Sequence, residues 1–265
     1  MSTGIASAQG SLRIPDLAGK VFLVTGASTG IGAAVAVAFA GQGARVAVHY
    51  NASEAEAMGV AREIGEAGGE TFLVKADVTQ RAAVTEMVEK TAAHFGRIDG
   101  LVNNAGTLLG RVPVEKSDEA HDYAVVNLNA MSVVWACRAA LPWLKRSKGV
   151  VINTSSLAAR NGGGPGAVLY AASKGFVSTF TRALAKEVAP DGVRVNAVEP
   201  GIILTRFHEV NTKPEQMAAL VASIPLGYAA SAEECAGVYL FLASRALSGY
   251  ITGQCISVNG GQLMP

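Results

Sequence analysis

Short runs of β-branched and other apolar residues alternate with longer Ala-rich stretches from one end of this chain to the other. The strands predicted from that beat are Val21 to Thr25, Arg45 to His49, Thr71 to Lys75 and Leu101 to Asn103, then Val150 to Thr154, Val193 to Val198 and Cys255 to Val258. Helices are predicted near Ile31 to Ala40, Glu54 to Ala67, Ala82 to Phe95, Ala120 to Lys145, Ala167 to Ala189 and Ala232 to Ala243. A strand that is apolar on both faces needs cover on both faces. The pattern therefore specifies an α/β fold, a doubly wound parallel sheet of about seven strands between two helical layers. No linker breaks the rhythm, so a single domain over 19–265 is expected, behind a flexible N-terminal tail over 1–18. The interval 202–230 is irregular and holds Pro214 and Pro225. A long irregular segment in a compact domain is usually functional, and a substrate lid is expected there.

The first strand runs into Val24-Thr-Gly-Ala-Ser-Thr-Gly-Ile-Gly32 and then an Ala/Val helix. Gly26, Gly30 and Gly32 suit a tight turn, close backbone approach to a pyrophosphate, and close packing of helix on sheet. With Ser28, Thr29 and Ile31 they form a Rossmann-type phosphate turn, where helix N-terminal amides meet the phosphate charge. The spacing is one step off the common dinucleotide fingerprint. At the end of the second strand an NAD site usually offers a carboxylate to the ribose 2′-hydroxyl. Here Tyr50, Asn51 and Ser53 precede the first acid, Glu54. Asn51 and Ser53 are able to donate to a 2′-phosphate, which points to NADP, with NAD as the alternative. Ser53-x-x-Glu56 also fits a capping box for the next helix. Asp77, next to Val78 after the third strand, suits an adenine amino group or a plain turn.

Composition narrows the function classes. Half the residues are hydrophobic and 16% charged, enough apolar material for a sizeable core. A net charge of +1 without a basic stripe argues against nucleic acid as a partner. Cys137, Cys235 and Cys255 lie far apart, and His49, His94, His121 and His208 share no ligand spacing, so no metal site is expected. Buried thiols suit a reducing cytoplasm. Met1 to Ala18 lacks the pattern of a secretory signal. The most apolar stretch, Val125 to Leu144, is interrupted by Asn127, Asn129, Arg138 and Pro142, so no membrane partner is expected.

Tyr170 and Lys174 stand four residues apart on a predicted helix, with Ser155 and Ser156 upstream. Positions i and i+4 share a helix face, so phenol and ammonium can enter one cleft. A phenol ionises near ~10, and a neighbouring cation draws that value down. A tuned tyrosine acid beside a nucleotide turn reads as hydride transfer.

These elements, with Asn103-Asn104-Ala105-Gly106, Asp77-Val78, Asn127, Pro200-Gly201 and Thr252 to Gly261, make the chain resemble the short-chain dehydrogenase/reductases from Lys20 to Gly261. The resemblance implies that Tyr170 is the general acid toward a carbonyl and the base in the reverse direction. It implies that Lys174 holds the nicotinamide ribose and that Ser156, rather than Ser155, binds the substrate oxygen. Asn127 is implied to anchor a water feeding Lys174, with Asn129 turned away. Ile203 and Thr205 are implied to contact the nicotinamide carboxamide. Thr29 departs from the Arg of many NADP users, and Tyr228 from an Arg that relatives carry. Similar sequences include 3-oxoacyl-carrier-protein reductases and, as the rival reading, sugar and polyol dehydrogenases. A nucleotide-sensing regulator is the alternative outside catalysis, although such proteins lose the Tyr or Lys. The family also implies a homotetramer built on the helices at 120–145 and 167–189.

Overall fold

The computed structural model describes residues 13–264. Strands β1 (Val21–Val24), β2 (Arg45–Tyr50), β3 (Thr71–Lys75), β4 (Gly100–Asn103), β5 (Val150–Thr154), β6 (Arg194–Pro200) and β7 (Cys255–Val258) form one sheet. Its order is β3-β2-β1-β4-β5-β6-β7, and every neighbouring pair is parallel. The chain turns from one half of the sheet to the other between β1 and β4, and such a switch point opens a crevice at the strands' C-terminal ends.

Alternation along β1 shows why the sheet is covered twice. Phe22 and Val24 enter one apolar layer, with Val35 and Phe39 of α1 (Gly30–Gly41), Ile64 of α2 (Glu54–Glu66) and Tyr239 from further along the chain. Val21 and Leu23 enter the other, with Met87 of α3 (Arg81–Phe95). The predicted helix 120–145 is three segments: α4 (Glu119–Val126), a π-helical stretch Asn127–Met131, and α5 (Ser132–Ser147). On length and mean hydropathy alone 119–147 could cross a membrane. Here Ala136, Cys137 and Leu144 are spent on the second layer.

After β5 come α6 (Ala158–Asn161) and α7 (Val168–Val188), which carries Tyr170 and Lys174. The expected lid is not irregular. It contains α8 (Arg206–Asn211) and α9 (Pro214–Ala222). Pro214 occupies the first turn of α9, where its missing N–H and fixed φ suit a helix start, so this proline begins an element instead of interrupting one. Helices α10 (Ala232–Ala243) and α11 (Arg245–Ser248) precede β7.

Part of the expected tail, 1–12, lies outside the described residues. The remainder corrects the expectation: Ile14 and Leu17 are buried, and Asp16 accepts from Ser244 Oγ at 2.8 Å and from the Ala246 amide at 3.1 Å. Two apolar side chains and a bonded carboxylate hold 13–18 against the domain.

Candidate active site

A cleft of about 840 Å³ runs along the C-terminal ends of β1, β2, β4, β5 and β6. At its nucleotide end Gly26 and Gly30 have φ of 63° and 57°, which side-chain-bearing residues rarely adopt. A Cβ on Gly32 would run into the Gly26 carbonyl, so that position must be bare for helix and turn to meet. Asn104 braces the same turn: its Nδ2 donates to Thr25 O at 3.0 Å and Gly26 O at 3.1 Å.

A residue overlooked in the sequence completes the turn. His49 of β2 is 2% exposed. Its Nδ1 accepts from the Gly26 amide at 2.9 Å, and its Nε2 faces Ala76 O at 3.0 Å. The amide can only donate and the carbonyl only accept, so the ring is the neutral Nε2–H tautomer. Burial lowers its pKa, against smaller opposing contributions from the Ala76 hydrogen bond and Asp77.

Gly26, Ser28, Thr29, Gly30, Ile31, Tyr50, Asn51, Ser53, Asp77, Val78, Asn104, Ala105 and Gly106 all line the cleft. So do Ser156, Tyr170, Lys174, Pro200, Gly201, Ile203 and Thr205. Of the predicted site residues, Gly32 lies just beneath the turn and Asn127 does not face the cleft. The expected Ser53 cap does not form through its side chain, which leaves the hydroxyl at the cleft. Asp77 Oδ1 accepts from the Thr79 amide at 2.9 Å and hydroxyl at 2.7 Å, as a turn residue does.

Asn129, not Asn127, stands beside Lys174. A Cβ built on Gly106 would lie 2.6 Å from Asn129 Oδ1 and 3.2 Å from Lys174 Nζ. Asn129 is fully buried, and its Nδ2 donates to Thr107 O and Val125 O, both at 2.9 Å. Its Oδ1 has no hydrogen-bond donor among the described residues. The π-helical stretch explains the mistaken expectation: the Ser132 amide returns to Asn127 O, so the extra residue per turn rotates the face that a regular helix would present.

At the reaction end Lys174 Nζ donates to Thr154 O at 2.8 Å, and the Ser156 hydroxyl is close enough to Tyr170 to favour its phenolate. Ser155 points inward to Lys174 O at 2.9 Å and Ser178 Oγ at 2.8 Å. Burial dominates both ionisable groups. It pushes the Tyr170 phenol up to about 12, only partly countered by Ser156, and the Lys174 ammonium down to about 8. The net shift of the phenol therefore runs opposite to the expected one, because desolvation is the largest contribution and the Ser156 hydroxyl opposes it only in part.

The family model described as enoyl-(acyl carrier protein) reductase matches residues 26–262. A 3-oxoacyl-[acyl-carrier-protein] reductase of Synechocystis sp. is 42% identical over 255 residues, spanning 94% of this chain and 98% of that protein. The 3-oxoacyl-[acyl-carrier-protein] reductase of Thermotoga maritima is 40% identical, spanning 92% and 98%. Among solved structures, the NADH-dependent reductase A1-R′ responsible for alginate metabolism superposes with a TM-score of 0.88 at 38% identity, covering 95% of this chain and all of that one. The same reductase is known in complex with NAD, at a TM-score of 0.85.

Proposed function

The chain belongs to the short-chain dehydrogenase/reductase family of oxidoreductases, and from that premise we propose that it reduces a carbonyl to a secondary alcohol with NADPH, Tyr170 acting as the acid. The observation that carries this reading is that Tyr170, Ser156 and Lys174 line one cleft with the glycine-rich turn, Tyr170 four residues from Lys174 and within the influence of the Ser156 hydroxyl. When bound, the reduced nicotinamide supplies the hydride to the carbonyl carbon and leaves oxidised. Ser156 donates to the carbonyl oxygen as negative charge gathers there, and Tyr170 transfers its proton to that oxygen. A phenol held above its ordinary range is protonated at neutral pH, the state reduction requires. Lys174 binds the ribose hydroxyls. Asn129 Oδ1, buried and unpartnered beside Lys174 Nζ, accepts from a water that returns protons to the site.

NADP is favoured by the cleft below β2. No carboxylate lines that end except Asp77, and Asn51 and Ser53 present polar groups. Of the two acids that would repel a 2′-phosphate, Glu56 lies 3.6 Å from Arg206. The NADH dependence of the A1-R′ neighbour favours NAD as the second reading. Acyl-carrier-protein thioesters are the first substrate candidates, on the strength of the two curated relatives, and sugars or polyols the second.

The exposed face of α7 at Val168 and Phe176, with Tyr123 of α4, supports assembly as a homotetramer. Free thiols at Cys137, Cys235 and Cys255 suit the cytoplasm. Mixing the protein with NADPH or NADH and a panel of ketones, while following nicotinamide absorbance, tests the reading. Oxidation of NADPH that depends on the ketone supports it; a chain that binds nucleotide and reduces no carbonyl overturns it and leaves a sensor.

A further inference from the structure

The reaction half of the cleft carries positive charge without a compensating acid. Its lining includes Lys174 and Arg111, while the one lining carboxylate, Asp77, lies at the nucleotide end. Arg111 stands on the loop between β4 and α4. Its Nε donates to Asn211 O of the lid at 2.9 Å, and its Nη1 to Pro165 O of the opposite rim at 3.1 Å. Both acceptors are neutral carbonyls. Among the described residues Arg111 is in no ion pair and its Nη2 makes no hydrogen bond.

A guanidinium held in place by two backbone carbonyls, with Nη2 making no hydrogen bond and no acid within ion-pair distance among the described residues, is arranged to receive an anion. The second polar group at this end is His208, whose Nδ1 is paired with Thr212 Oγ1 at 3.0 Å. Burial and the Arg111 charge both lower its pKa, so the ring is neutral at pH 7. Phe207 separates this pair from the acid: its ring centroid is 5.6 Å from Tyr170 and 5.1 Å from His208. Arg111, His208, Phe207 and Tyr170 line one cleft, so an anion at Arg111 and a carbonyl at Tyr170 share that space with an apolar ring beside the phenol.

We infer that Arg111 selects substrates whose ketone or aldehyde is joined by a short carbon chain to a carboxylate, binding that carboxylate at the junction of lid and rim. The inference rests on the carbonyl-reductase reading and names the substrate class of the same site.

The test compares acetoacetate with acetoacetamide and levulinate with levulinamide, pairs that differ in charge at nearly constant shape. Wild-type kcat/KM is expected to favour the acid by about tenfold or more in at least one pair, the range of a hydrogen bond to a charged group. That preference falls to about unity in Arg111→Gln and is partly restored in Arg111→Lys. Binding is read separately from turnover, by the fluorescence of bound NADPH on adding valerate or valeramide; only the acid is expected to titrate, and only with the cation present. A wild-type protein indifferent to charge, or an Arg111→Gln variant that keeps the acid preference, overturns the inference. If neutral ketones are reduced and the keto acids are not, the substrate class alone falls. If no carbonyl is reduced at all, the enzymatic reading fails and takes the inference with it.

Discussion

The Lys174 ammonium stands 5.7 Å from the centroid of the Tyr170 ring and is bonded to Thr154 O at 2.8 Å, not to the phenol. One turn of α7 thus sets the two groups side by side while burial drives their pKa values apart, the phenol up to about 12 and the ammonium down to about 8. Charge at this end of the cleft is a matter of solvent access as much as of the pair itself. Lys174→Met is expected to lower kcat by about a hundredfold or more, the usual scale for losing a group that supports proton transfer. Stopped-flow and steady-state rates check it, and a loss under tenfold contradicts the role.

Direction and pH follow from the same phenol. Reduction needs the neutral phenol and oxidation needs the phenolate. With the Tyr170 pKa raised by burial, reduction is expected to stay level through neutral pH and fall only in strongly alkaline buffer. Alcohol oxidation should climb as pH rises. Profiles of kcat/KM in both directions measure this; an oxidation rate that peaks below neutral pH contradicts it.

Asn129 and Asn127 make a paired test. Asn129→Ala removes the buried amide beside Lys174 and is expected to slow turnover by roughly tenfold or more if it serves the proton supply. Asn127→Ala, away from the cleft, should change turnover by less than about twofold, within the usual effect of substitutions remote from a site. Equal losses from both variants contradict the placement.

His49 ties folding to pH. Its folded pKa lies below the ordinary 6.5 because the ring is buried, so the unfolded chain takes up the proton first as pH falls. The stability this ring contributes is complete above about 6.5 and declines as pH drops through that value toward the folded pKa. Protonating Nδ1 would also set two donors, the ring and the Gly26 amide, against each other. Urea midpoints measured from pH 8 down to 5.5 should fall, and fall less steeply in His49→Asn. Parallel slopes in the two proteins contradict the assignment.

Much of this site could be read from residue order, because the glycine turn, the Tyr170–Lys174 interval and the strand ends are local patterns with fixed periods. Gly26 and Tyr170 face the cleft because strand-to-turn and i, i+4 geometry leave little freedom. Asn129 escaped because a π-helical stretch is invisible to a count of 3.6 residues per turn. His49 escaped because its partners, Gly26 and Ala76, come from two other strand ends, and such contacts follow from sheet order. Arg111 carries meaning only once Asn211 and Pro165 are both placed beside it. Residues 13–18 were misjudged as tail because Ile14 and Leu17 are short apolar signals with no period.

The most direct measurement compares Tyr170→Phe with the wild type in one experiment, combining NADPH binding by fluorescence with single-turnover carbonyl reduction. The account predicts near-normal nucleotide affinity and a rate lower by about a hundredfold or more, the contribution of a positioned acid. A variant that reduces the carbonyl at the wild-type rate contradicts it.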